Sequence, residues 1–128
     1  MKRPVWVLRE TVLALHEQLL AEFGGAAGIR DEGLLDSALK RPENAFHYKR
    51  STLSVLAASY GFGLVKNHPF VDGNKRIGFT VAVLFLEING RRFHATESDA
   101  TVRTLALAAG AMSEAAYAAW LMSMTRKA

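Results

Sequence analysis

Residues His68 to Arg76 read HPFVDGNKR, and they interrupt an apolar region with a histidine, an acid, a Gly-Asn pair and two bases. Each of these residue types has a use at a site that handles phosphate. Histidine can take a proton from a hydroxyl near neutral pH, which makes His68 the candidate general base. Asp72 offers hard oxygen ligands, and Mg²⁺ bridging phosphates needs few protein ligands. Gly73 lets a phosphate approach the backbone closely. If a helix begins at this point, the N–H groups from Gly73 and Asn74 to Arg76 face an anion with the helix dipole behind them. Lys75 adds a compact positive charge, and Arg76 a planar fork for two phosphate oxygens. Phe70, apolar among polar neighbours, is expected to anchor the stretch to the core. A base, a metal ligand and a phosphate clamp within nine residues describe phosphoryl or nucleotidyl transfer.

A plainer reading competes. His68, Asp72 and Lys75 or Arg76 have the spacing of one polar stripe on a continuous helix. Pro69 opposes it, because the residue before a proline is driven toward extended geometry and the preceding helix should end near His68. Asp72-Gly73-Asn74 is turn chemistry, with Gly and Asn both able to adopt positive φ. The stretch therefore reads as a loop delivering into a helix N-terminus.

The elements around it must hold that loop in place. Apolar residues from Arg9 to Phe23 recur at helical spacing, and Gly24-Gly25 supplies a stop. GGAAGIR then reads as a flexible connection. Asp31 can cap a short helix through Leu34, Leu35, Ala38 and Leu39, expected to end before Pro42. RPENAFHYKR is polar and irregular, the pattern of a surface loop or flap. Ser51 can cap a helix running to about Asn67. The segment 77–88 is apolar on nearly every side, and its length and the Gly90 stop favour a helix surrounded by others. RRFHA can form a brief extended piece. Thr96 with Asp99 resembles a capping box ahead of a helix to about Ala111, and Ser113 can cap a last helix carrying Tyr117, Trp120, Leu121 and Met124. The sum is an all-α fold: one domain over residues 1–128, a helical bundle around a central buried helix with a short flap or extended segment at most.

Composition bounds the function. The chain has 128 residues, half of them apolar, enough for one core. It has no cysteine, which excludes disulfides and thiolate chemistry. No apolar run is long enough for a membrane span, and Arg9 and Glu10 break the N-terminal stretch too early for a signal peptide, so a cytoplasmic protein is expected. The net charge of +4 favours anionic partners, but the bases lie in scattered pairs such as Lys40-Arg41 and Arg91-Arg92. No direct nucleic-acid contact is expected from them. A basic nucleic-acid-binding protein is the non-enzyme alternative, and it leaves the His68–Arg76 pattern unexplained.

That pattern resembles the Fic-family motif H-P-F-x-[D/E]-G-N-[G/K]-R, met at His68, Pro69, Phe70, Asp72, Gly73, Asn74 and Arg76. Together with GIRDEGLLDSALKRPENAF it is similar to the death-on-curing (Doc) branch, the toxins of type II toxin–antitoxin pairs. The resemblance implies a Fic-like fold with His68 as base, Asp72 as Mg²⁺ ligand and Gly73, Asn74 and Arg76 binding phosphate. The adenylylating pattern continues G-N-G-R-x-x-R, whereas here Lys75 replaces the glycine and Phe79 the last arginine. In the Doc branch that substitution accompanies an inverted nucleotide. The resemblance therefore implies transfer of the γ-phosphoryl of ATP to a hydroxyl of a protein target, a translation elongation factor, with inhibition of protein synthesis. AMP transfer to a protein is the alternative. The inhibitory pattern [S/T]-x-x-x-E-[G/N] is not met, since Gly28 precedes Glu32-Gly33 and Leu39 precedes Glu43-Asn44. Control is then expected from a cognate antitoxin.

Other residues carry plainer expectations. His16 lies among charged neighbours and reads as solvated. His47 falls in the expected flap, where it could orient a target segment or do nothing. His94 lacks a partner at metal-ligand spacing. Tyr117 and Trp120 read as core, and Lys49-Arg50 as an exposed pair.

Overall fold

A computed structural model describes residues 3–128. Six helices and a two-stranded ribbon follow one another as α1 (Arg9–Phe23), α2 (Glu32–Lys49), α3 (Leu53–Asn67), α4 (Asn74–Ile88), β1 (Arg91–Phe93), α5 (Glu97–Ala109), α6 (Glu114–Ser123) and β2 (Thr125–Lys127). The fold is thus helical, with the ribbon as its one sheet among the described residues. No helix among them is long and apolar enough to cross a membrane.

Side-chain caps set most helix starts. Asp31 accepts from Leu34 N at 2.9 Å, Thr96 from Asp99 N at 3.1 Å and Ser113 from Ala116 N at 3.0 Å, as their positions suggest. The α3 cap is Thr52, accepting from Val55 N, and not Ser51. A hydroxyl stands at both positions, and the extended backbone of Thr52 places its oxygen over the first turn. Asp99 does not reach back to complete a capping box; its carboxylate accepts from Trp120 Nε1 at 2.9 Å and Arg103 Nε at 3.1 Å.

The central helix is α3. Ten of its residues are buried, including Leu56, Tyr60 and Leu64, and it packs against α2, α4, α5 and α6. The 77–88 segment, expected to hold that place, buries Ile77, Val81, Phe85 and Leu86 but keeps Phe79, Thr80 and Val83 on a cleft. Small residues let the backbones meet. A Cβ at Gly78 would stand 2.7 Å from Val65 Cγ2 and 3.1 Å from the Gly61 carbonyl.

Helix α2 does not stop at Pro42. It runs on to Lys49, so the expected flap at RPENAFHYKR is helix for most of its length. An interior proline costs about 3 kcal/mol. Burying Phe46 alone returns about 2–3 kcal/mol, and Pro42 itself is buried on the same face. Phe46 meets Trp6 edge to face at 6.0 Å. The β1 partner was not legible either: β2 pairs with it antiparallel, with Phe93 opposite Thr125.

Candidate active site

The loop between α3 and α4 is assembled from its backbone outward. Helix α3 ends at Asn67, and His68 takes a left-handed conformation with φ 53°. That geometry is uncommon for a residue with a Cβ and persists where neighbours hold it. Arg30 holds it here. Its Nε donates to the His68 carbonyl at 2.7 Å and its Nη2 to that of Asn67 at 2.9 Å, placing a cation on the negative end of α3. The chain before α2 then runs along the loop: Ile29 bridges Phe70 antiparallel, Val71 N donates to the Gly28 carbonyl, and Arg30 N to that of Pro69. GGAAGIR, read as a free connection, is therefore hydrogen-bonded to the loop on one edge.

Two buried side chains close the loop from within. Asn74 accepts from Phe70 N and donates to the Phe70 carbonyl, both at 3.0 Å. Phe70 is 1% exposed, which anchors the loop as its apolar character suggested. Its ring stacks on His16 of α1 at 3.7 Å. His16, expected in solvent, is 4% exposed, and its Nε2 lies 2.8 Å from the Asp72 carbonyl oxygen. Glu17, the charged residue beside it in sequence, is exposed. The spacing of His16 from Leu19, Leu20 and Phe23 was the available signal, because these four form one helical stripe that faces the loop.

The candidate site side chains stay outside. His68, Asp72, Lys75 and Arg76 are all exposed, and together with Gly73 and Asn74 they line one open cleft of about 740 Å³. Gly73 is the N-cap of α4 at φ 79°, a conformation suited to glycine. No side chain caps α4, and its first turn carries no acid. The N–H groups of Asn74, Lys75 and Arg76 are thus left for an outside acceptor, whereas Asp31, Thr52, Thr96 and Ser113 close the starts of α2, α3, α5 and α6.

The Asp72 carboxylate is set by backbone donors, with Gly73 N on Oδ1 at 2.9 Å and Ala26 N on Oδ2 at 3.3 Å. A Cβ at position 25 would stand 2.9 Å from Oδ2, so a glycine is needed for the connection to pass this close. Arg76 lies over the Phe23 ring, 4.3 Å from its centroid, and makes no ion pair among the described residues. Stacking leaves its N–H donors for a ligand.

Beyond the cradle the cleft continues along α4 and α5, where Phe79, Val83, Phe93, Ala100 and Leu105 line it together with Thr80, Glu97, Thr101 and Thr104. Phe79 meets Phe93 edge to face at 5.7 Å. His47 and the Lys49-Arg50 pair are not in the cleft. They precede α3, whose fifteen residues span about 22 Å, while His68 follows it. His94 is exposed, and no cluster of three or more metal-ligating side chains occurs among the described residues. Tyr117 and Trp120 are core residues, 0% and 5% exposed.

A family model described as the Fic/DOC family matches residues 6–86, the span from just before α1 into the last turn of α4. The chain is 44% identical over 72 residues to Toxin Doc of Mycolicibacterium smegmatis, covering 53% of this chain and 54% of that protein. It is 33% identical over 82 residues to Protein kinase doc of Escherichia phage P1, covering 63% and 65%. The matched region thus spans between half and two thirds of the length of these curated relatives. With most of its length matched to that family model, the chain belongs to the Fic/DOC family.

Proposed function

We propose that this protein is the toxin of a toxin–antitoxin pair and transfers the γ-phosphoryl group of ATP to a hydroxyl of a protein target. A translation elongation factor is the target class the Doc resemblance implies. The observation that carries this reading is the uncapped N-terminus of α4, opening into the same cleft as His68, Lys75 and Arg76. The names of the two relatives, one a toxin and one a protein kinase, support it.

In the reaction the free N–H groups at the start of α4 hold polyphosphate oxygens, with Lys75 and Arg76 adding positive charge. His68 accepts the proton of the target hydroxyl as that oxygen bonds to the γ-phosphorus. The bond to the β–γ bridging oxygen breaks, and ADP leaves with its electron pair. Charge on the transferring group is stabilised by Lys75 and by the helix dipole.

The donor set fits a magnesium ion shared with phosphates. Asp72 is an exposed carboxylate whose oxygens are oriented by backbone N–H groups and, among the described residues, paired with no cation. One carboxylate suits an ion that keeps waters and phosphate oxygens as its other ligands. Bound there, Mg²⁺ would neutralise phosphate charge.

Lys75 favours this chemistry over AMP transfer, because its side chain adds bulk and charge where a polyphosphate would approach a glycine. Phe79 turns the next wall apolar where an arginine would bind phosphate. A separately encoded antitoxin would cover the apolar part of the cleft and control the site. The test is to incubate the protein with translation factors and ATP labelled at the α- or the γ-phosphate. Label from the γ position is expected on the target. Label from the α position alone would replace this reading with AMP transfer.

A further inference from the structure

Of the four histidines, His16 alone is buried, and nothing in the transfer chemistry uses it. Its partner is informative. A carbonyl oxygen can only accept, so the 2.8 Å contact to Asp72 O fixes the proton on Nε2 and makes His16 the donor. The carbonyl belongs to the peptide joining Asp72 to Gly73. Across a trans peptide the C=O and the following N–H point in opposite directions. Holding the carbonyl toward α1 therefore turns Gly73 N–H away from α1. That N–H donates to Asp72 Oδ1 at 2.9 Å. One hydrogen bond from α1 thus holds the peptide plane whose N–H orients the Asp72 carboxylate.

The same ring stacks on Phe70 at 3.7 Å with an interplanar angle of 15°. A residue needed only to fill space beside Phe70 could be a phenylalanine. The donor is what the histidine adds. We propose that His16 is a positioning residue for the Asp72–Gly73 peptide, and through it for magnesium–nucleotide binding and transfer; this rests on the phosphoryl-transfer reading above.

Two variants separate the donor from the packing. His16→Phe keeps an aromatic ring against Phe70 and removes the donor. His16→Gln carries an amide nitrogen four bonds from Cα, the same reach as Nε2 of histidine. Calorimetric titration with Mg²⁺ and a non-hydrolysable ATP analogue reads binding, and γ-label transfer reads turnover. For His16→Phe we expect binding about tenfold weaker and kcat lower by a similar factor, the worth of one hydrogen bond. KM for the protein target should be unchanged, and His16→Gln should recover most of both losses. Wild-type binding and turnover in a folded His16→Phe protein would overturn the proposal, as would a folded His16→Gln no better than His16→Phe.

If His16→Phe does not fold, His16→Asn serves in its place. Its amide stops one bond short, so it should bind the magnesium–nucleotide more weakly than His16→Gln, and equal binding overturns the proposal. A wild-type protein that binds the nucleotide but transfers no label would remove the transfer reading alone, since the binding comparison still decides the role of His16.

Discussion

Two of the polar clusters in this protein, around Arg41 and in the α3–α4 loop, are built in opposite ways. Around Arg41, the side chains are the contacts. The guanidinium holds Glu114 by two bonds of 2.6 and 2.7 Å, reaches Ser59 Oγ at 3.1 Å and lies 4.8 Å over the Phe62 ring. Its pKa is raised by that carboxylate, and the group ties α2 to α3 and α6 with no donor aimed at a cleft. In the α3–α4 loop the backbone is held instead, by Arg30, Asn74 and His16, while His68, Asp72, Lys75 and Arg76 are exposed without an ion partner among the described residues. A polar cluster satisfied by itself joins elements. A cluster whose scaffold is satisfied and whose reactive groups are left open is ready for a ligand.

Breaking the second cluster at its reactive groups should have the largest effect on activity and little on stability. His68→Ala is expected to lower γ-phosphoryl transfer by about 10²–10⁴-fold, the usual worth of a positioned base. Thermal melting should stay near wild type, because the side chain is exposed and the α3 terminus is held through the backbone. A folded His68→Ala protein that transfers label at the wild-type rate would remove His68 from the chemistry. Lys75→Gly should cost less, about 10–100-fold in γ transfer, from the loss of one cation at the transferring group. It should not create efficient AMP transfer while Phe79 lines the next turn. Transfer assays with both labels check each point.

Asn74→Ala attacks the scaffold instead. Phe70 N and O would lose their partners inside the protein, a cost of about 2 kcal/mol that denaturant unfolding should show, together with weakened nucleotide binding. In the first cluster the balance reverses. Arg41→Met should lower stability by about 1 kcal/mol, the bidentate geometry being offset by partial exposure of both partners. Transfer per folded molecule should be unchanged. An Arg41→Met protein with normal stability but impaired transfer would contradict the division drawn between the two clusters.

The stretch that forms the candidate site stands out in the sequence because a turn signal, a proline and polar side chains suited to phosphate coincide within nine residues. Helix starts were legible where a cap stands alone, as at Asp31 and Ser113. What covers the site was not legible. GGAAGIR pairs with the loop through backbone groups, which carry no side-chain signature, so small residues read as slack where they permit close approach. The Pro42 helix was missed because a local rule was weighed without the burial of Phe46 that overrides it. The burial of His16 was not legible because Glu17 beside it suggests a solvated face, whereas its place in the Leu19–Phe23 stripe turns it toward the loop. The enclosure of α3 was hidden too, since alanines and glycines look less like a core than the leucines and phenylalanines of α4.

A third polar group offers the smallest and most selective test. Asp99 on α5 accepts from Trp120 Nε1 at 2.9 Å and from Arg103 Nε at 3.1 Å, and these contacts, the Trp120 bond first, hold its carboxyl below the usual carboxylate range. A folded-state pKa below the unfolded value means that the ionised form is favoured in the folded protein. The resulting stability is complete above the unfolded pKa, about 4, and is lost as pH falls through the lower folded value. Asp99→Asn removes the ionisation and can still accept from Trp120. Denaturant unfolding of both proteins at intervals from pH 7 to about 3 should therefore show a modest wild-type advantage that shrinks below pH ~4. Asp99 does not line the cleft, so magnesium–nucleotide binding at neutral pH should be the same in both. A stability difference that stays constant across the series would mean that shape, and not charge, joins α5 to α6. A change in nucleotide binding would instead mean that Asp99 belongs with the open groups of the cleft.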